Sequence, residues 1–91
     1  MKSREQLILA EMMKEYESAK VEYSPFTSHH EGWAVIKEQL DEVWDEIKKK
    51  RGTKSQEKIM KEVLHVGAMS LRFLMELTPL KLDTKEKKKR C

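Results

Sequence analysis

Across residues 28–51, apolar side chains return every third or fourth position, at Trp33, Ile36, Leu40, Val43, Trp44 and Ile47. At about 100° per residue, the pitch of an α-helix, these fall on one stripe. Glu31, Glu38, Glu42 and Asp45 fall on nearly the opposite one. This spacing commits the segment to an amphipathic helix. Its ends carry matching signals. Ser28-His29-His30-Glu31 has the S-x-x-E form of a capping box, in which each end of the motif satisfies a free backbone donor. Lys48, Lys49, Lys50 and Arg51 crowd the last turn, where cations complement the helix dipole, and Gly52 follows as the expected C-cap.

Two more helices are expected, and no alternating strand pattern interrupts them. The first covers residues 2–23, with Leu7, Ile8, Met12, Tyr16, Ala19 and Tyr23 at helical steps. It ends at the stretch SPFTS, because Pro25 disfavours helix at Ser24 and has no N–H to donate. The third begins after Thr53 or Ser55 and stops before Pro79. Its main apolar side is Met60, Val63, Leu64, Gly67, Leu71 and Leu74. From residue 63 to 77 it is apolar on most sides, which predicts a helix surrounded by protein. The narrow polar stripe left on it holds Lys58, Lys61, Glu62, His65, Arg72 and Glu76.

The expected fold is therefore all-α: three helices, with helices two and three as an antiparallel hairpin about Gly52. A chain of 91 residues hides only roughly 60–65% of the surface its unfolded form exposes. Dimerisation is expected to complete a four-helix core, with helix one packed across it. Residues 1–78 form the helical domain, and residues 79–91 a basic, flexible tail.

Composition narrows the function classes. Hydrophobic and charged residues each make up 38% of the chain, which suits amphipathic helices and not a disordered tail or a membrane protein. No long apolar run predicts a membrane span, and charges interrupt the N-terminal stretch too often for a signal peptide. A lone cysteine, Cys91, fits a reducing cytoplasm. The net charge of +3 comes from the end of the chain, since KEKKKRC alone carries five positive charges and one negative. The domain itself has no basic face, so a nucleic-acid partner is not expected.

Folding helices two and three back on each other places residues whose numbers sum to about 104 at one height. Glu42 then lies level with Glu62, Glu38 with His65 or Val66, and Glu31 with Arg72 or Phe73. Glu62 and His65 are one turn apart and can aim at one point. If the two polar stripes converge, their carboxylates repel unless a proton or a cation sits between them. A hard divalent ion such as Mg²⁺ takes oxygen ligands of this kind and keeps several waters. Glu38 and Glu42 can reach it from one helix and Glu62 from the other.

These residues resemble the MazG-like all-α nucleotide pyrophosphohydrolases, whose motif is E-E-x-x-E followed, after a gap, by E-x-x-D. Glu38-Gln39-Leu40-Asp41-Glu42 is similar to the first part. After nineteen intervening residues, Glu62-Val63-Leu64-His65 is similar to the second. The phrase HEGWAVIKEQLDEVWDEI also resembles a small MazG-like subgroup of unassigned function, and the likeness spans residues 28–77. The resemblance implies a helical dimer or tetramer that uses Mg²⁺ to hydrolyse nucleoside triphosphates to the monophosphate and pyrophosphate. It assigns catalysis and metal binding to Glu38, Glu42 and Glu62, with His65 as a further metal ligand. Gln39 stands where the motif has its second Glu, and His65 where it has Asp. An imidazole is a poor Mg²⁺ ligand and an acceptable one for Mn²⁺, Zn²⁺ or Ni²⁺, so Mn²⁺ is the alternative cofactor.

The remaining polar residues carry two readings each. Glu31 can complete the cap or border the pocket and pair with Arg72. Arg72, deep in an apolar segment, needs a carboxylate partner, and Glu31 and Glu76 are the candidates. Asp45 extends the acidic stripe, and Lys58 can steer phosphates or end a helix in solvent. Glu31, Asp45, Lys58 and Arg72 are thus the candidate substrate contacts. His29 and His30 sit at a helix start, and Trp33 and Trp44 belong to core or interface packing before base stacking. The competing reading is a small non-catalytic helical interaction protein, a viral one among the candidates, whose acidic stripe is a solvent face.

Overall fold

The structure, a computed structural model, describes residues 1–49 and 55–79. Three helices account for most of them: α1 (Arg4–Glu22), α2 (His29–Ile47) and α3 (Gln56–Leu77). No strand occurs among the described residues.

Local chemistry explains where each helix starts. Ser3 caps α1 in a full capping box: its Oγ accepts from Gln6 N at 3.1 Å, and Gln6 Oε1 accepts from Ser3 N at 2.8 Å. At α2, Ser28 Oγ accepts from Glu31 N at 3.0 Å. The expected return bond is different. The Glu31 carboxylate accepts from Thr27 N at 2.6 Å and Thr27 Oγ1 at 2.9 Å, one residue upstream of the cap. Ser55 caps α3 through a bond from Lys58 N.

The helix ends also differ in part from expectation. α2 stops at Ile47, short of residue 51. Lys49 N reaches back only to Glu46 O at 3.3 Å, a three-residue closure that tightens the last turn and ends the α-helical ladder. The expected hairpin turn at Gly52, the cap at Thr53 and nearly all of the basic tail lie outside the described residues. α3 ends one residue before Thr78, whose Oγ1 donates to Leu74 O at 2.8 Å.

α3 is the central element, since α1 and α2 each pack on it and not on each other. Contacts between α2 and α3 run in opposite senses along the two helices. His29 Nε2 lies 3.2 Å from Leu77 O, Gly32 sits under Phe73, and Glu46 meets Lys58. Gly32 is needed for that approach, because a Cβ there would lie 2.6 Å from a Phe73 ring carbon and 2.8 Å from Leu77 Cδ1.

The core is small. Tyr16 and Ala19 of α1, Phe26 of the α1–α2 connection, and Ala68 and Met69 of α3 are buried together. Val35, Ile36, Leu71, Phe73 and Leu77 pack around them. The apolar stripe of α2 does not all enter it. Val43 is buried, but Trp33, Leu40 and Trp44 are 61%, 53% and 57% exposed. One neighbour, α3, is too narrow to cover a stripe this wide. Two neighbours do not surround α3 either: Met60, Val63 and Leu74 also face outward. No helix among the described residues is long and apolar enough to cross a membrane.

Candidate functional site

The acidic stripe of α2 and the polar stripe of α3 meet at Glu42 and Glu62. Their side chains are in contact, and Glu42 is held above the ordinary carboxylate range. Partial withdrawal of its carboxyl from water is the largest cause, although the residue as a whole is exposed, followed by the contact with Glu62 and the charges of Glu62 and Glu38, with His65 pulling the other way. Glu62 Oε1 is buried and accepts no hydrogen bond. His65 Nδ1 lies 3.6 Å from that same oxygen.

A residue that sequence reasoning did not single out completes the cluster. Glu15 of α1 places Oε1 2.9 Å from His65 Nε2. Its signal was present in the sequence. Glu15 lies one helical turn from both Met12 and Ala19, the residues that carry α1 onto α3, so it had to face α3 as well.

Glu38 and Glu42 are exposed residues on α2, one turn apart. Glu38 acts on Glu42 through its charge and lines a cavity of about 550 Å³ where all three helices border one space. Glu15, Glu31, Gln39, His65 and Arg72 line it too. Gln39 Oε1, the amide oxygen at the position where the motif has a carboxylate, is buried without a donor. The donor set of carboxylates with one imidazole suits a divalent cation, and the bare Glu62 oxygen beside Glu42 suits it further. The gathering is pairwise, however: among the described residues no three such side chains are placed ready to hold one ion.

The other candidates stand apart from this cluster or serve the fold. Asp45 pairs with Lys48 at 3.4 Å on the surface. Lys58 Nζ lies 3.7 Å from Glu46 Oε2, which Lys49 also holds at 2.9 Å. These lysines keep the Glu46 carboxyl below its ordinary range, the Lys49 hydrogen bond foremost. Glu31 is likewise lowered, first by its backbone bond from Thr27 and then by the Thr27 hydroxyl; the charge of Arg72 adds a smaller part.

Arg72 is 2% exposed and has found the second of its candidate partners. Its Nε and Nη2 fork onto the two oxygens of Glu76 at 3.2 and 3.3 Å. Nη2 also donates to Ser24 O at 2.8 Å, and the guanidinium lies 4.1 Å from the centre of the Phe26 ring. Glu76 in turn accepts from Phe26 N at 2.8 Å. Arg72 therefore latches the Pro25 connection onto α3, which sets where α1 lies against α3.

A second cavity, about 630 Å³ and mostly apolar, opens beside His29, His30, Trp33, Ile36, Phe73 and Leu74. His29 and Phe73 rings lie 5.7 Å apart there. No protein-family model matches the chain, and comparison with curated proteins and with solved structures gives no match.

Proposed function

We propose that the chain is a divalent-metal-dependent nucleotide pyrophosphohydrolase of MazG-like type, or a degenerate relative that retains the pocket. It would convert nucleoside triphosphates to the monophosphate and pyrophosphate. The observation that carries this reading is the contact of Glu42 with Glu62 across two helices, together with a buried Glu62 oxygen that has no donor of its own. Two acids brought together this way repel, and a proton or a cation removes the repulsion. Glu38, Glu42 and Glu62 would hold the ion, Mg²⁺ or Mn²⁺, with His65 as the nitrogen ligand that favours Mn²⁺. A bound ion supplies charge neutralisation for a polyphosphate and a more acidic water. The chain's own part is to aim the acids from two helices at one place and to border the three-helix cavity.

The quaternary arrangement belongs to the same proposal. Helices two and three form an antiparallel hairpin, and a second copy completes a four-helix core, as a dimer or within a tetramer. The outward Trp33, Leu40 and Trp44 support it, because a single chain leaves them in water. A cytoplasmic location accords with the single cysteine.

The same outward stripe favours the second reading, a non-catalytic helical interaction protein. Incubation of the full chain with each nucleoside triphosphate and Mg²⁺ or Mn²⁺ separates the two. The hydrolase reading expects monophosphate and pyrophosphate, lost in Glu62→Gln. Absence of turnover, with no thermal shift on adding either metal, selects the interaction protein. Turnover that survives Glu38→Gln and Glu62→Gln places the chemistry elsewhere.

A further inference from the structure

His65 is gripped from two sides by carboxylates on different helices. Its Nε2 lies 2.9 Å from Glu15 of α1, and its Nδ1 lies 3.6 Å from Glu62 of its own helix. A carboxylate oxygen only accepts. At 2.9 Å two lone pairs cannot face each other, so Nε2 carries a hydrogen whether the ring is neutral or charged. In the neutral ring Nδ1 is then the nitrogen left to bind anything else, and it faces the bare Oε1 of Glu62.

We propose that Glu15 is a positioning residue of the candidate site: it holds the Nε2 hydrogen of His65 and turns Nδ1 toward Glu62 as the metal-facing nitrogen. The purpose assigned to this contact rests on the metal reading above, whereas the tautomer does not. Histidines that ligate metals commonly give their other N–H to a carboxylate, which orients the ring and raises its basicity. Glu15 reaches this place by the packing of α1. Met12, one turn before Glu15, seats over Gly67, and the adjacent Tyr16 and Ala19, one turn after it, join the core. The consequence is selectivity. Mn²⁺ accepts a nitrogen ligand more readily than Mg²⁺ does, and that preference depends on the ring being fixed. So the first helix, outside the stretch that carries the motif, helps select the ion.

Stability is a weak alternative explanation of the contact. The two side chains are 31% and 29% exposed, and pairs this open to water add little. Glu15→Ala should therefore fold. The first test is the long-range proton–nitrogen spectrum of the metal-free full chain at mildly alkaline pH, with the His65 signals assigned through His65→Asn. The wild type should show the hydrogen on Nε2 and a lone pair on Nδ1, and Glu15→Ala should show mixed tautomers. A wild-type ring with its hydrogen on Nδ1, or a spectrum unchanged by Glu15→Ala, overturns the proposal. The second test is calorimetric titration with Mn²⁺ and with Mg²⁺. Glu15→Ala should weaken Mn²⁺ binding about 10–100-fold and leave Mg²⁺ binding as it was. Equal loss for both ions, or no loss for Mn²⁺, contradicts the role in selectivity. The expected tautomers in a wild type that binds neither ion sink the metal reading and leave the hold of Glu15 on His65 standing.

Discussion

Replacing Arg72 by Met keeps the apolar stem of the side chain and removes its charged end. The structure sets the size of the loss. Two bonds to Glu76, one to Ser24 O and a stacking contact with Phe26 disappear together. Hydrogen bonds to charged groups contribute about 1.5–3 kcal/mol each when counted alone, and these share one guanidinium. Breaking one side of a buried pair costs roughly 3–5 kcal/mol, because the partner charge stays behind. Glu76 is 17% exposed in its side chain and keeps the bond from Phe26 N, so the lower end of that range applies. A chain of 91 residues has a total stability of roughly 5–14 kcal/mol. Arg72→Met should therefore lower Tm by about 15–30 °C at fixed protein concentration, followed by helical circular dichroism. Pairing it with Glu76→Met should recover part of the loss, since no charge is then left unpaired. A drop of under about 1 kcal/mol, as for an exposed pair, would refute the view of Arg72 as the latch of the α1–α2 connection.

Other perturbations follow from single contacts. The raised Glu42 carboxyl means that the folded chain holds this proton more tightly than the unfolded chain. Its stabilising contribution is full below about pH 4.5 and is lost as pH rises through the raised folded value. Glu42→Gln should thus melt higher than wild type at pH 8, with the gap closing toward pH 4; an unchanged gap contradicts the repulsion. Gly32→Ala drives a Cβ into Phe73 and Leu77, and overpacking of about 1–3 kcal/mol should exceed the roughly 1 kcal/mol of helix propensity gained. At Gly67 the added carbon meets only the flexible end of Met12, so Gly67→Ala should be near neutral in urea unfolding. Trp44→Lys should leave the helix intact and raise the monomer fraction in analytical ultracentrifugation, and a purely monomeric wild type would sink the proposed dimer.

What the sequence made legible was the register. Counting back along two helices put Glu42 level with Glu62, and the two side chains do meet. The caps at Ser28 and Ser55 were legible for a similar reason, since a hydroxyl before a helix reaches only the nearest free N–H groups. The far side of the Ser28 cap was not, because a Glu side chain can reach Thr27 as easily as Ser28 and only the local backbone decides. A helical wheel also gives a stripe without giving its occupant. Trp33 and Trp44 lie where the pattern put them, on an apolar side that α3 does not cover. The spacing of Glu15 from Met12 and Ala19 shows which helix it faces, but its meeting with His65 depends on where α1 lies. That is set by a buried arginine gripping a proline-containing connection, a tertiary contact with no periodicity to announce it.

The central claim is that acids from α2 and α3 share a cation. Binding of Mn²⁺ to the metal-free chain, followed by the loss of its free-ion electron paramagnetic resonance signal, tests this most directly. The account predicts saturable binding of a single ion per chain, strongly weakened in Glu62→Gln and in Glu42→Gln. Wild-type protein that leaves the free-ion signal untouched, or that binds Mn²⁺ equally well without Glu62, would contradict it.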